Sequence, residues 1–127
     1  MKCDWKFYKC SICGNTVEMI HSGGGTMVCC GKDMDLLVPN TTEASTEKHI
    51  PVLTRADDKV EINVGSVPHP MTDEHYISWI YLCTGKTGKM VCLSPGEEPK
   101  ATFCLDPSEH GQVFAYCNLH GLWASEF

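Results

Sequence analysis

The sequence predicts a mainly β protein in two parts: a small metal-stapled N-terminal domain, then an antiparallel β-sandwich or barrel. Three observations carry this. Residues 1–38 are rich in cysteine and glycine and poor in large apolar groups. From residue 47 onward, short β-branched and aromatic runs are separated by turn signals every 8–12 residues or so. No amphipathic helical stripe of useful length interrupts them.

The elements follow in order. Residues 1–38, with Gly23-Gly24-Gly25, cannot bury enough surface to fold on core packing alone and need a staple. Residues 39–46, Pro39 to Thr46, are polar and read as a linker. In 47–127, Val52-Leu53-Thr54 and Val60 to Val64 flank the turn signal Asp57-Asp58. A strand is expected over His75 to Leu82, and Gly85 to Gly88 then turns the chain into Met90 to Leu93. Pro95 to Pro99 leads to Ala101 to Leu105, and Asp106 to Gly111 leads to Gln112 to Cys117. Leu122-Trp123-Ala124 is the last apolar run.

Composition narrows the function classes. The 127 residues carry 10 basic and 16 acidic groups, a net charge of −6, which disfavours nucleic acid and anionic membranes as partners. No apolar run approaches the roughly 20 residues of a membrane span. Met1 to Lys6 lacks the apolar centre of a signal peptide, so a cytoplasmic location is expected. In that reducing setting nine cysteines point to metal rather than disulfides, and the odd count argues against a complete disulfide framework.

Two constellations stand out. Cys10-Ser11-Ile12-Cys13 is a knuckle, and after fifteen intervening residues comes the adjacent pair Cys29-Cys30. Two such pairs can close a tetrahedral sulfur cage around one ion. Side chains on neighbouring residues diverge, so Cys29 and Cys30 can share an ion only with a strained backbone and a distorted tetrahedron. Ligand chemistry alone leaves zinc and iron open. The second constellation is His49, the run His69-Pro70-Met71-Thr72-Asp73-Glu74-His75, and Cys117-Asn118-Leu119-His120. Each taken singly has a bland reading as a solvated histidine or a small buried thiol. Together, four of the six histidines fall in strand-edge or loop contexts with a thiol able to join them.

Cys10-x-x-Cys13 with Cys29-Cys30 resembles the small iron protein desulforedoxin, which implies Fe(Cys)₄ rather than zinc. Glu47-Lys48-His49-Ile50-Pro51-Val52, His69-Pro70-Met71 with His75-Tyr76, and Cys117-Asn118-Leu119-His120-Gly121-Leu122-Trp123 resemble, in order, the signatures of superoxide reductases of the desulfoferrodoxin kind. The resemblance implies a seven-stranded immunoglobulin-like sandwich and two non-haem irons per chain. Cys10, Cys13, Cys29 and Cys30 would hold the first. The second would have equatorial imidazoles from His49, His69, His75 and His120 and an axial thiolate from Cys117.

The implied activity is one-electron reduction of superoxide to hydrogen peroxide without oxygen release. Five protein ligands leave one octahedral position open, and a thiolate opposite it pushes electron density toward the substrate. Lys48, beside His49, is expected to draw superoxide inward and hold a proton-delivering water; its bland reading is a solvated lysine. Glu47 is read by resemblance as a carboxylate able to take the vacant position in the ferric state, against an exposed partner for Lys48. The overall negative charge matters less than this local field, since carboxylates beyond roughly 8–10 Å are screened. The family implies rubredoxin as electron donor and a homodimer. Two alternatives remain at this level: a non-catalytic iron-binding electron-transfer module with metal only on the four N-terminal cysteines, and a superoxide dismutase.

Cys3, Cys83, Cys92 and Cys104 match no ligand pattern. Cys83, Cys92 and Cys104 are expected as buried small hydrophobes, and Cys3 as a surface thiol. His21 and His110 are expected at the surface. Tyr76, Trp79, Tyr116 and Trp123 are expected to pack the core rather than relay electrons.

Overall fold

A computed structural model describes residues 4–127; Cys3 lies outside them. The chain divides into two compact units, one ending at Val38 and the other running Pro39–Phe127.

The first unit is built of short hairpins. Strands β1 (Lys6–Lys9) and β2 (Thr16–Met19) pair antiparallel from Lys6↔Met19 to Lys9↔Thr16, and β5 (Asp35–Leu36) adds to the other edge of β1. The knuckle forms the β1–β2 turn: Cys10 N–H donates to Asn15 O at 2.8 Å and Gly14 N–H to Cys10 O at 3.0 Å. A second hairpin joins β3 (Val28–Cys29) and β4 (Lys32–Asp33) through Cys30-Gly31. Both turn residues have positive φ, 53° at Cys30 and 71° at Gly31, as a two-residue turn of the right twist requires. Glycine adopts that geometry freely; Cys30 pays with strain. Among the described residues here only Phe7 and Cys10 are buried apolar groups, so packing contributes little to holding the hairpins together.

The second unit is a seven-stranded antiparallel sandwich. Its smaller sheet has the order β10-β7-β6, with β6 Pro51–Ala56, β7 Lys59–Val64 and β10 Lys100–Cys104. Its larger sheet has the order β12-β11-β8-β9, with β8 Ile77–Cys83, β9 Gly88–Cys92, β11 Gln112–Cys117 and β12 Gly121–Glu126. Alternation sets the core: Val60, Ile62 and Val64 of β7 face Ile80 and Leu82 of β8 and Val113, Ala115 and Cys117 of β11 in one cluster. On the opposite face of the larger sheet, Trp79 and Tyr116 are cross-strand partners with rings stacked 5.5 Å apart. All of Trp79, Tyr116 and Trp123 are buried, as expected, while Tyr76 is half-buried.

The pairing of β8 with β11 shifts register between Tyr116 and Cys117, so Tyr116 meets Trp79 and Cys117 meets Ile77. Ser78 is the extra residue of this bulge, and its carbonyl is taken instead by Leu93 N–H at 2.8 Å. The bulge turns Ile77 into the core beside Cys117.

Several expectations are corrected. The strand expected from His75 begins only at Ile77. His75 sits on a loop closed on itself, with Thr72 N–H donating to His75 O at 2.9 Å and His75 N–H to Thr72 Oγ1 at 3.2 Å. A four-residue helix α1 (Thr46–His49), too short for any apolar periodicity, went unexpected. Asn40 exchanges hydrogen bonds with the backbone of Ala124 and donates its N–H to Leu122 O at 3.0 Å. Cys83 is buried, but Cys92 and Cys104 are exposed. The reason is strand alternation, since their neighbours Val91 and Phe103 take the core-facing positions. His21 and His110 are exposed, as expected.

Candidate metal centres

The first centre lies where the two N-terminal hairpins meet. The sulfur atoms of Cys10, Cys13, Cys29 and Cys30 all lie within 4.8 Å of one another. Cys13 Sγ is 3.7 Å from Cys29 Sγ, and Cys29 Sγ is 4.0 Å from Cys30 Sγ. Cys30 reaches its neighbour's ion site by standing in the left-handed turn while Cys29 stays in the strand. The strain read from the adjacent pair is thus a φ of 53° at Cys30. The knuckle supplies donors to sulfur: Ile12 and Cys13 N–H to Cys10 Sγ, and Asn15 N–H to Cys13 Sγ, each at 3.4 Å. Asn15 Nδ2 also donates to Cys29 Sγ at 3.7 Å.

These contacts divide the thiols. The amides of Cys13 and Ile12 pull Cys10 down to about 6, whereas the neighbouring sulfurs of Cys13, Cys10 and Cys29 push Cys30 up to about 12. Cys29 is raised too, chiefly by Cys13 and Cys10. One thiolate forms readily, and each further one is opposed by those already present. A cation at the centre removes that opposition, so the donor set fits a metal ion.

The second centre sits at one end of the sandwich. His49 ends α1, His69 follows the turn after β7, His75 precedes β8, Cys117 ends β11 and His120 lies in the turn before β12. Gly65 makes the approach of α1 possible. Its φ is +86°, and a Cβ there would stand 2.7 Å from Lys48 O and 2.8 Å from Glu47 O. Its N–H donates to Ile50 O at 3.1 Å, and Val67 N–H to Glu47 O at 3.0 Å, which ties the residues leading to His69 under the helix.

The four imidazoles form a closed ring in chain order. Centroid separations are 4.7 Å for His49–His69, 4.6 Å for His69–His75, 5.0 Å for His75–His120 and 4.9 Å for His120–His49. Each successive pair is close to perpendicular, at 73° to 87°, while His49 and His75 face each other across the ring at 6.2 Å. One donor atom from each of His49, His69, His75 and Cys117 lies within 4.8 Å of all the others. His49 Nε2 is 3.2 Å from His69 Nε2 and 3.1 Å from His120 Nδ1. With metal–nitrogen bonds of about 2.1 Å, donors at right angles stand ~3.0 Å apart. His120 Nδ1 is 3.9 Å from Cys117 Sγ, which is fully buried.

The ring nitrogens are assigned by their partners. His49 Nδ1 meets Ser45 O at 2.6 Å and His69 Nδ1 meets Pro70 O at 2.7 Å, so each donates there and leaves Nε2 with its lone pair turned inward. His75 Nε2 is buried and, among the described residues, has no hydrogen-bond partner. An orphaned nitrogen inside a ring of three other imidazoles is what a metal would satisfy. His120 turns Nδ1 inward instead of Nε2.

Burial lowers His49, His69 and His75; His69 falls to about 4, with the other histidines adding to the effect. Lowering favours the neutral form, the one that can bind a metal. Burial raises the Cys117 thiol, against N–H donors from His120 and Leu119, so its thiolate is favoured only beside a cation. The field of Lys48 reaches both His49 and His75 and contributes to their lowering. Glu47 accepts from Ser45 Oγ at 3.4 Å.

Two supports were not legible in the sequence. The carbonyls of Ser45 and Pro70 are backbone groups that any residue type carries. Trp123, read only as core, stacks on His49 with centroids 4.8 Å apart and donates from Nε1 to His120 O at 3.1 Å. Its position three residues after His120 was the available signal.

Fold and donor sets together define a two-centre iron protein: a four-cysteine site on N-terminal hairpins and a histidine–thiolate site on a β-sandwich. The comparisons with known proteins agree. The family model described as Desulfoferrodoxin matches residues 41–126, and that described as Desulfoferrodoxin, N-terminal domain matches residues 4–37. The chain belongs to the desulfoferrodoxin family. It is 50% identical over 119 residues to a desulfoferrodoxin of Syntrophotalea carbinolica, covering 94% of each chain. It is 40% identical over 98 residues to a superoxide reductase of Pyrococcus horikoshii, covering 63% of this chain and 85% of that one. The crystal structure of the superoxide reductase from Treponema pallidum matches with a TM-score of 0.78 at 32% identity, over 96% of this chain and 98% of that one.

Proposed function

We propose that this protein is a superoxide reductase, converting superoxide with one electron and two protons to hydrogen peroxide without releasing oxygen. The observation that carries the reading is the closed ring of four imidazoles beside the buried Cys117 thiol, with the Lys48 field reaching into it. Ferrous iron bound there supplies the electron and a coordination position for the anion.

In this reading His49, His69 and His75 through Nε2, His120 through Nδ1, and the Cys117 thiolate would hold the iron. Neutral imidazoles leave the centre cationic, which suits an anionic substrate. Lys48, on the exposed side of α1, attracts superoxide along the last few ångströms and positions a water for proton delivery. Glu47, immediately before it on the same turn, would offer a carboxylate to the oxidised iron. The centre is then re-reduced by an external one-electron donor of the rubredoxin kind. The four-cysteine site holds a second iron, residues 1–38 and 47–127 act as its domain and the catalytic domain, and the protein works in the cytoplasm as a homodimer.

Metal analysis and rapid mixing test this. Two irons per chain are expected, with one peroxide formed for each superoxide consumed by the reduced protein and no oxygen evolved. Oxygen evolution alongside peroxide would make the protein a dismutase. A single iron per chain held on cysteine alone, with no peroxide, would leave only an electron-transfer module.

A further inference from the structure

The four histidines of the second centre are not held alike. His49 and His69 each donate Nδ1 to a backbone carbonyl, and His120 is fixed through its own carbonyl by Trp123 Nε1. His75 Nε2 has no hydrogen-bond partner among the described residues. Its loop is closed locally by Thr72, but Thr72 is in the same loop and does not tie it to the other ligands. One side chain does. Asn118 Oδ1 accepts from Tyr76 N–H at 2.9 Å, and Asn118 Nδ2 donates to Glu74 O at 2.9 Å. Asn118 N–H donates in addition to Tyr76 O at 3.2 Å. The amide thus grips the backbone on both sides of His75 from a position immediately after Cys117.

We infer that Asn118 is a positioning residue for His75, locking that donor and the thiol of Cys117 into one rigid piece. The geometry supports this in two ways. An amide carries its acceptor and its donors on two separate atoms, so it can accept from one neighbour's N–H and donate to the other neighbour's C=O at once, whereas an ionised carboxylate has no donor. The loop it grips is also where β8 has already given up regular pairing at the Ser78 bulge, so ladder bonds do not hold His75 in place. His75 Nε2 is unpartnered, so its position follows the backbone, which Asn118 grips on both sides of His75. Fixing a ligand before the metal arrives raises affinity, and losing such a support costs 10–100-fold.

The inference rests on the histidine–thiol site being a metal centre, and the test separates the two. The full chain is given one equivalent of Zn²⁺ to fill the four-cysteine site and is then titrated with Co²⁺. The thiolate-to-cobalt absorption reports binding at Cys117. Asn118→Ala should weaken Co²⁺ binding by about 10–100-fold. In a His75→Ala background, which retains three imidazoles and the thiol, the same change should add no more than about twofold, because its target is gone. Equal weakening in both backgrounds would make Asn118 a general stabiliser of the fold and overturn the inference, as would no weakening at all. Absence of any thiolate-to-cobalt band in the unaltered chain would instead overturn the reading of the site. Hydrogen exchange at the Tyr76 amide gives a second measure: it should accelerate in Asn118→Ala, while exchange along β11 stays unchanged in a chain that has folded.

Discussion

The two centres solve opposite problems with the same element. In the first unit the cysteines are the structure. Only Phe7 and Cys10 are buried apolar groups among its described residues, and the backbone accepts a left-handed cysteine to bring Cys29 and Cys30 to one point. In the second unit the structure exists before the site. A core of β-branched and leucine side chains builds the sandwich, and one end of it then presents four imidazoles and a buried thiol. A centre that holds its fold together must have every position filled by protein. A centre carried by an independent fold can leave a position for a substrate. The donors differ accordingly: four thiolates favour retention of the ion, whereas neutral imidazoles with one thiolate keep the site cationic and reactive.

The sharpest way to break this comparison is to remove metal from one centre at a time. Stripping the first ion should melt the first unit, since structural sites of this kind contribute on the order of 10 kcal/mol to folding. Hydrogen exchange should then become fast across β1 and β2 but stay slow in β8 and β11. Protection that survived in β1 would show that the hairpins do not need their staple.

Cys117→Ser probes the other half. The side chain is nearly the same size, so the sandwich should unfold within a few degrees of the unaltered protein. Peroxide formation in rapid mixing should fall by more than about 100-fold, beyond what loss of a group merely supporting a ligand costs. A large drop in the unfolding temperature with little change in rate would reverse the roles of the two centres.

Smaller effects test the surroundings. Lys48→Ala should keep both irons and slow the reaction with superoxide by roughly tenfold, with a weaker dependence on ionic strength. Unchanged kinetics would remove Lys48 from the mechanism. In metal-free protein the buried histidines make stability depend on pH in one direction. His69 is lowered to about 4 in the fold, while an unfolded histidine titrates near 6.5. The folded chain therefore refuses a proton that the unfolded chain accepts. Its contribution is complete above pH ~6.5 and is lost as pH falls toward about 4. Thermal scans of the second unit should show the midpoint dropping over that window, and loading the site with metal should deepen the dependence, because protons and metal compete for the same nitrogens.

Much of this was legible in the residues. The seven strands of the sandwich were visible because alternating burial writes a period of two into sequence, and the ligand sets were visible because cysteine and histidine at short spacings have few other uses. What escaped was set by backbone or by topology. The helix that carries His49 has four residues, fewer than one full repeat of any stripe. His75 resembles the start of a strand because aromatic and β-branched residues follow it, yet the strand, shifted in register at Ser78, begins only at Ile77. Cys92 and Cys104 were read as buried because thiols usually are, whereas their strand phase places them outward beside Val91 and Phe103. The order of the imidazoles around the ring, with His49 across from His75, depends on how four separate loops converge and is written at no single position.

The turn from Cys117 to Gly121 sets a limit on change that turns away from the two centres escape. Three residues connect the paired positions Cys117 and Gly121, and within them sit the clamp on one loop and a member of the ring. Gly121 leaves the turn at a φ of +78°, and a Cβ there would come within 3.3 Å of Thr42. A hairpin such as Asp57-Asp58 can lengthen without touching either centre. One residue added between Cys117 and Gly121 would swing the His120 ring out of the circle while leaving every strand intact. Natural variation in this fold should accumulate as insertions at turns that carry no ligand and stay frozen in length at this one.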